Sequence, residues 1–344
     1  MTDQSRQSWI DFLRGVSIVL VILGHAYGFA FDADATAVQP IEEIEPGVII
    51  EAVHGINKSV APFRMEIMFL LSGLFVHRGL AKGTGRYLQG KINNILYPFI
   101  IWSLLSFALR QSGAVLAKGE PLDWELVLEM FLGSAAATWF LYYLFIYYLV
   151  APLVRNLNAL AVMGVSLLIA LFLPEDSIVS PNLFYFFVYF YAGDYLARNE
   201  VGITSRPARR WLTLSLAAVA ATFVVANLTG KSSTWPGYVP LVLASVPLIF
   251  QAAISLSHYR FAEPFKYIGR HSMVFYLVHF HMYIALAYLL EMFTSNEAAI
   301  FFLLFIAGLL VPLCISIARR RESMSFLNVL FSPPRQTATA TRLS

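Results

Sequence analysis

WIDFLRGVSIVLVILGHAYGFAF, residues 9–31, decides how this chain is read. It is long and apolar enough to span a bilayer, which takes about 20 residues. Yet it carries Asp11, Arg14 and His25. Ionisable side chains at membrane depth are costly and usually face a bundle interior or a wet cavity. Arg14 and His25 are eleven residues apart. That is about three helical turns, so both lie on one face, roughly 16 Å apart along the axis. The face offers a fixed cation near one end and a titratable imidazole deep inside. Two plainer readings stand beside this one. Arg14 can snorkel to the headgroups, and His25 can be a packing histidine with satisfied ring nitrogens.

The rest of the chain has the composition of a membrane protein. Of 344 residues, 58% are hydrophobic and 13% are charged, against about 25% charged in soluble domains. The expected fold class is all-α, a polytopic membrane helical bundle of about ten transmembrane helices. The spans are expected near 10–31, 59–77, 95–116, 131–154, 157–173, 182–197, 211–229, 238–257, 271–291 and 298–318. Residues 126–137 can instead form a short interfacial or re-entrant helix ahead of the rest of the fourth. Residues 1–331 make one transmembrane domain, and 332–344 read as a disordered cytoplasmic tail. No short apolar core followed by a small-residue cleavage site opens the chain, so an uncleaved first span is expected.

Charge sets the orientation. Arg78, Lys82, Arg86 and Lys91 lie in one loop, Arg198, Arg206, Arg209 and Arg210 in another, and Arg260, Lys266 and Arg270 in a third. Arg319, Arg320 and Arg321 follow the last span. All fall on the side of the N-terminus. The opposite side is acidic, with Asp32, Asp34, Glu42, Glu43, Glu45 and Glu51 in its first loop. The positive-inside rule then puts both termini in the cytoplasm. The basic loops would attract anionic lipid of the bilayer whatever else they do.

Antiparallel pairing of the first two spans predicts which polar groups meet. His25 and Glu66 should sit level, and Arg14 level with His77 and Arg78 near the inner mouth. A carboxylate beside an imidazole fixes its tautomer and suits it to general-base work. The plainer alternative is a structural ion pair of Glu66 with Arg64, although those two point to different faces of one helix. In the ninth span Ser272, Tyr276 and His279 share a face by their spacing. His279 and His281 differ by about 200° and make no metal pair. Trp139, Tyr142 and their neighbours can line a sugar-sized site or form an interfacial aromatic belt. Asp194 can simply pair with Arg198 one turn on. A single cysteine, Cys314, excludes an intramolecular disulfide and a multi-cysteine metal site. No phosphate-cradling glycine loop and no zinc-binding His-Glu-x-x-His pattern occurs, and neither a metal nor a nucleic-acid partner is expected.

These motifs together resemble the integral-membrane acyltransferase 3 family, which includes bacterial O-acetyltransferases of cell-surface polysaccharides. The resemblance runs over nearly the whole chain. It rests on Arg14-GVSIVLVILG-His25, on Glu66-IMFLLSG-LFVH-Arg78, and on LYPFIIW at 96–102. It continues through WFLYYLFIYYL at 139–149, FYAGDYLA at 190–197 and IGRHSMVFYLVH at 268–279. Arg64 departs from it, since polysaccharide-modifying relatives often carry a different residue there. The resemblance implies a multi-pass protein of the bacterial cytoplasmic membrane. It implies an acyl-CoA donor, usually acetyl-CoA, used as a substrate rather than held as a cofactor, and a carbohydrate hydroxyl as acceptor. His25 would be the general base, with Glu66 orienting or charging it. Arg14 would hold the donor or stabilise developing charge. Arg14, Arg78, Lys82, Arg86, Lys91 and Ser72 are the candidate donor-binding residues. Trp139, Tyr142, Ser272, Tyr276 and His279 are candidates for the acceptor side. The competing class is a proton-coupled transporter using Arg14, His25 and Glu66, against which stands the lack of repeated halves. A carrier that passes the acyl group to a separate enzyme is a third reading.

Overall fold

The computed structural model describes residues 3–31, 48–118, 124, 138–175, 177, 179–199, 207–291, 293–294 and 296–334. Among these there is no strand. The long helices are α1 (Asp3–Phe31) and α2 (Val48–Gly73), followed by the short α3 (Val76–Leu80) and α4 (Thr84–Lys91). One π-helical turn, Ile92–Leu96, leads into α5 (Tyr97–Lys118). Then come α6 (Trp139–Val154), α7 (Ala159–Phe172), α8 (Pro181–Arg198), α9 (Arg209–Leu228) and α10 (Tyr238–Leu256). The last are α11 (Ala262–Arg270), α12 (Ser272–Glu291) and α13 (Glu297–Ala318), with a 3₁₀ segment at Glu322–Leu330.

Among the described residues, six stretches are long and apolar enough to cross a membrane: Ser8–Phe31, Ile49–Leu80, Thr84–Leu109, Arg209–Leu228, Tyr238–Leu256 and Glu297–Ala318. Trp139–Val154, Ala159–Phe172 and Ser272–Leu286 are shorter apolar helices. The described part of each of the ten segments expected from sequence lies mainly on helix, six of them in stretches of spanning length, and the fold is an all-α polytopic bundle. Residues 126–137 and the tail beyond residue 334 lie outside the described residues. Helix starts follow local chemistry: Asn158, Ser180 and Asn296 each cap a helix by accepting a backbone N–H from two or three residues on.

The helix α1 sits at the centre, packed against α2, α10, α11, α12 and α13. Two crossings bring helix backbones into contact. A Cβ added at Gly15 would fall 1.9 Å from the Phe265 carbonyl oxygen, and one at Gly269 would fall 1.8 Å from that of Asp11. These two glycines let α11 lie directly on α1. In the same way Gly73 faces the Phe190 carbonyl at 1.9 Å and Gly193 faces that of Leu70 at 2.0 Å, which joins α2 to α8. Within a bilayer, helix association depends on such close packing of small residues. The loop expected at 258–270 is thus a helix, α11, and the loop at 78–94 holds α3, α4 and the π-helical turn. Both carry too many charges over too short a length to read as membrane spans.

Several buried tyrosines donate their hydroxyl protons to carbonyls of neighbouring helices. Tyr148 donates to Ser72 O at 2.9 Å, Tyr191 to Val154 O at 3.0 Å and Tyr283 to Ile22 O at 3.3 Å. Each such bond settles a polar group that hydrocarbon cannot solvate.

Candidate active site

His25 on α1 meets His279 on α12. Their rings stack with centroids 5.2 Å apart and planes 22° apart, and His25 Nδ1 lies 3.0 Å from His279 Nε2. The proton positions follow from the next contact. His279 Nδ1 is 2.7 Å from the Phe275 carbonyl oxygen, which can only accept. His279 therefore carries its proton on Nδ1, and in the neutral ring Nε2 is an acceptor. His25 must then donate from Nδ1, which leaves its Nε2 as a bare lone pair. This tautomer is assigned from the hydrogen-bond network. His279 is wholly buried (0% exposed), whereas His25 keeps some accessible surface because it borders a cavity.

That cavity has a volume of about 100 Å³. Its polar walls are His25, Arg64, Glu66, Trp139, Tyr276 and Ser233. They come from α1, α2, α6, α12 and the loop between α9 and α10. Glu66 is buried, and its Oε1 accepts from the Tyr185 hydroxyl at 3.2 Å, which also meets Tyr189 at 3.1 Å. Arg64 donates to the backbone carbonyl of Asn57 at 2.6 Å and to its side-chain oxygen. The Tyr276 hydroxyl accepts weakly from Phe140 N at 3.4 Å. Trp139 stacks on Phe186 with centroids 5.3 Å apart. Cavity walls that mix one base, two opposite charges and two large aromatic rings suit a polar, ring-shaped ligand.

Toward the other end of α1, Arg14 lies 5.6 Å from the Phe75 ring centroid. Phe75, His77, Arg78 and Trp9 line a second, smaller cavity of about 50 Å³. Lys91 sits over the Tyr148 ring at 3.4 Å. The chain thus has a cationic mouth at one depth and a histidine-lined cavity about three turns away along one helix.

A family model described as an acyltransferase domain matches residues 7–318. The chain belongs to this acyltransferase family. No curated protein and no solved structure matches it. With its apolar helices, the chain is a multi-pass membrane acyltransferase.

In this acyltransferase the residues singled out from sequence divide into three groups. His25, Glu66, Trp139 and Tyr276 line one cavity, and His279 stands behind His25. Glu66 makes no hydrogen bond to His25, and the imidazole's partner is His279. Arg14, Arg78 and Lys91 lie toward the end of α1 away from His25, while Lys82 and Arg86 are exposed on the surface. Three residues stand apart from both cavities. The Ser72 hydroxyl is bound to Met68 O at 2.7 Å, Tyr142 packs on Phe99 at 5.8 Å, and Ser272 opens α12. His281 points elsewhere, to Ser106 and the Trp102 ring. Asp194 is fully buried with Arg198 Nε 3.7 Å away. Among the described residues, no cluster could hold a metal ion.

Arg64 also lines the cavity, although two-residue spacing on a helix argues for a different face from Glu66. It forms no ion pair with Glu66 and bonds to Asn57 instead. The signal for it in the sequence is Gly24. A Cβ there would fall 2.0 Å from Arg64 Nη1, so the glycine beside His25 marks where the guanidinium passes. Tyr185 and Ser233 carried no such signal.

Proposed function

We propose that this acyltransferase moves an acyl group, acetyl in the first instance, from acyl-CoA to a hydroxyl of an extracytoplasmic or cell-surface carbohydrate. The donor is taken from the cytoplasmic side of a bacterial cytoplasmic membrane. Its anionic part is held by Arg14, Arg78 and Lys91, with Lys82 and Arg86 adding charge at the rim. The extended arm then carries the thioester along α1 to His25, a rise of roughly 16 Å. His25 Nε2 takes the acceptor's hydroxyl proton as the oxygen attacks the thioester carbonyl. A C–O bond forms, the C–S bond breaks, and the departing thiolate recovers the proton from His25. His279 keeps the imidazole in the tautomer that leaves Nε2 bare. Trp139 and Tyr276 form the walls against which the acceptor lies.

The observation that carries this reading is the hydrogen-bonded chain Phe275 C=O, His279, His25. It presents one unprotonated ring nitrogen at a cavity, in a chain that belongs to an acyltransferase family. Positioned general bases contribute about 10²–10⁴-fold to rate. The test is CoA release from labelled acetyl-CoA by purified protein in nanodiscs with candidate surface glycans. Acceptor-dependent release should fall by about that factor in His25→Ala while acetyl-CoA still binds. Release that survives the substitution removes His25 from the chemistry, and failure to bind acetyl-CoA at all returns the transporter reading.

A further inference from the structure

Arg64 and Glu66 both line the cavity that His25 borders, and they carry opposite charges. They nevertheless form no ion pair with each other. Arg64 uses one terminal nitrogen on Asn57, and its Nε has no hydrogen-bond partner. Glu66 is 1% exposed, Tyr185 serves its Oε1, and its Oε2 has no partner. Taking a carboxylate or a guanidinium out of water is costly unless its polar atoms are satisfied. Orphaned buried groups in a native structure ask for a ligand or a functional role. Gly24 supports the same conclusion, because the space its missing side chain leaves is taken by the Arg64 guanidinium. Trp139 gives the cavity a flat aromatic wall, held in place by Phe186.

A ligand that completes this set must donate to a carboxylate and accept from a guanidinium through neighbouring groups. It must also offer an apolar face to an indole. A carboxylate ligand would suit Arg64 but sit against Glu66, and an amine would do the reverse. Two adjacent hydroxyls on a neutral sugar ring serve both, since each hydroxyl donates and accepts, and the C–H face of the ring packs on an aromatic surface. A volume of about 100 Å³ takes the edge of one ring rather than an oligosaccharide.

We propose that Arg64 and Glu66 together form the acceptor subsite, recognising a vicinal diol on a neutral sugar ring that lies on Trp139. This rests on the acyl-transfer reading above and adds which feature of the acceptor is read, and by which residues. The test separates the two. Binding of methyl α-mannopyranoside, methyl β-galactopyranoside and methyl α-rhamnopyranoside is measured by saturation-transfer NMR on the full chain in nanodiscs without donor. Each is compared with a monodeoxy analogue, and acetyl-CoA binding is measured on the same preparation. At least one glycoside should bind, with its deoxy analogue about tenfold weaker, a difference of one hydrogen bond to a charged group. Glu66→Gln and Arg64→Gln should each weaken the intact glycoside by a similar factor, and each should stop distinguishing it from the monodeoxy analogue that lacks the hydroxyl that residue reads. Arg64→Lys keeps the cation without the planar fork and should fall between. Retained acetyl-CoA binding shows that each variant is folded. Variants that bind and discriminate as wild type does overturn the proposal, as does the absence of binding by every glycoside at millimolar concentration. Methyl glucuronide binding lost in Arg64→Gln but kept in Glu66→Gln overturns it in favour of carboxylate recognition. Wild type that binds a glycoside but no acetyl-CoA sinks the acyl-transfer reading instead.

Discussion

At the residue scale, one carbonyl oxygen decides the chemistry of two histidines. The Phe275 carbonyl accepts from His279, His279 accepts from His25, and His25 is left with its basic nitrogen toward the cavity. In catalytic triads a carboxylate holds a histidine in its working tautomer. In the proposed mechanism a neutral imidazole would do this, which suits a site in hydrocarbon where a further charge would be costly. His279→Ala should therefore lower kcat by about 10–100-fold, the scale of a lost orienting contact, with the KM for acetyl-CoA unchanged. His279→Gln, whose side-chain oxygen can still accept from His25, should recover part of the loss. Equal losses in Ala and Gln, or a loss in KM alone, would show that His279 only fills space. Sequence placed His279 among the acceptor-side candidates, but its partnership with His25 spans 254 residues, and no local pattern reports a contact of that separation.

At the element scale, the bundle is organised by helices whose backbones touch. Gly193→Ala would put a Cβ about 2.0 Å from the Leu70 carbonyl oxygen. Overpacking of this kind costs about 1–3 kcal/mol or more, and the contact is with backbone, which cannot swing aside. The variant should show a lower thermal unfolding midpoint in nanodiscs, and an unchanged midpoint would show that α2 and α8 separate readily. The α11–α12 corner carries a second, pH-dependent tie. His271 donates from Nδ1 to Tyr267 O at 2.8 Å and accepts from Arg320 on Nε2 at 2.6 Å. Burial, then Arg320, Arg319 and Arg270, push its pKa below the ordinary histidine value, against the opposing effect of the Tyr267 carbonyl. Below about pH 6.5 the unfolded chain then binds more protons than the folded one. The tie is complete above that pH and is lost as pH falls toward the lowered folded value. Wild type should lose stability on acidification relative to His271→Gln, and parallel pH curves for the two would remove His271 from the account. The element is passed over in sequence because it is too short and polar to be a span, although its apolar residues recur at helical spacing. Nine residues with Glu263, Lys266 and Arg270 read as a basic loop, and only the Gly15–Gly269 approach shows a helix packed on α1.

At the scale of the whole molecule, the charge distribution makes a prediction of its own. Basic residues on the side of the N-terminus and acidic residues opposite call for both ends to face the cytoplasm. A reporter active only in the cytoplasm, fused after Ser344, should be active, and an export-dependent reporter at the same place should be silent; the reverse result would invert the topology and the side from which donor is taken. What the sequence determined by itself was the bundle, the pairing of α1 with α2, and the cation and histidine on one face of α1. These follow from hydropathy, helical period and antiparallel counting, which are local. Tertiary structure decided which histidine holds which. It turned Glu66 toward Tyr185, brought Arg64 into the cavity, and committed the Ser72 hydroxyl to its own helix. The Ser72 bond is local to its helix, whereas the histidine pairing and the place of Glu66 depend on where distant helices cross, at glycines and buried rings whose partners lie far along the chain.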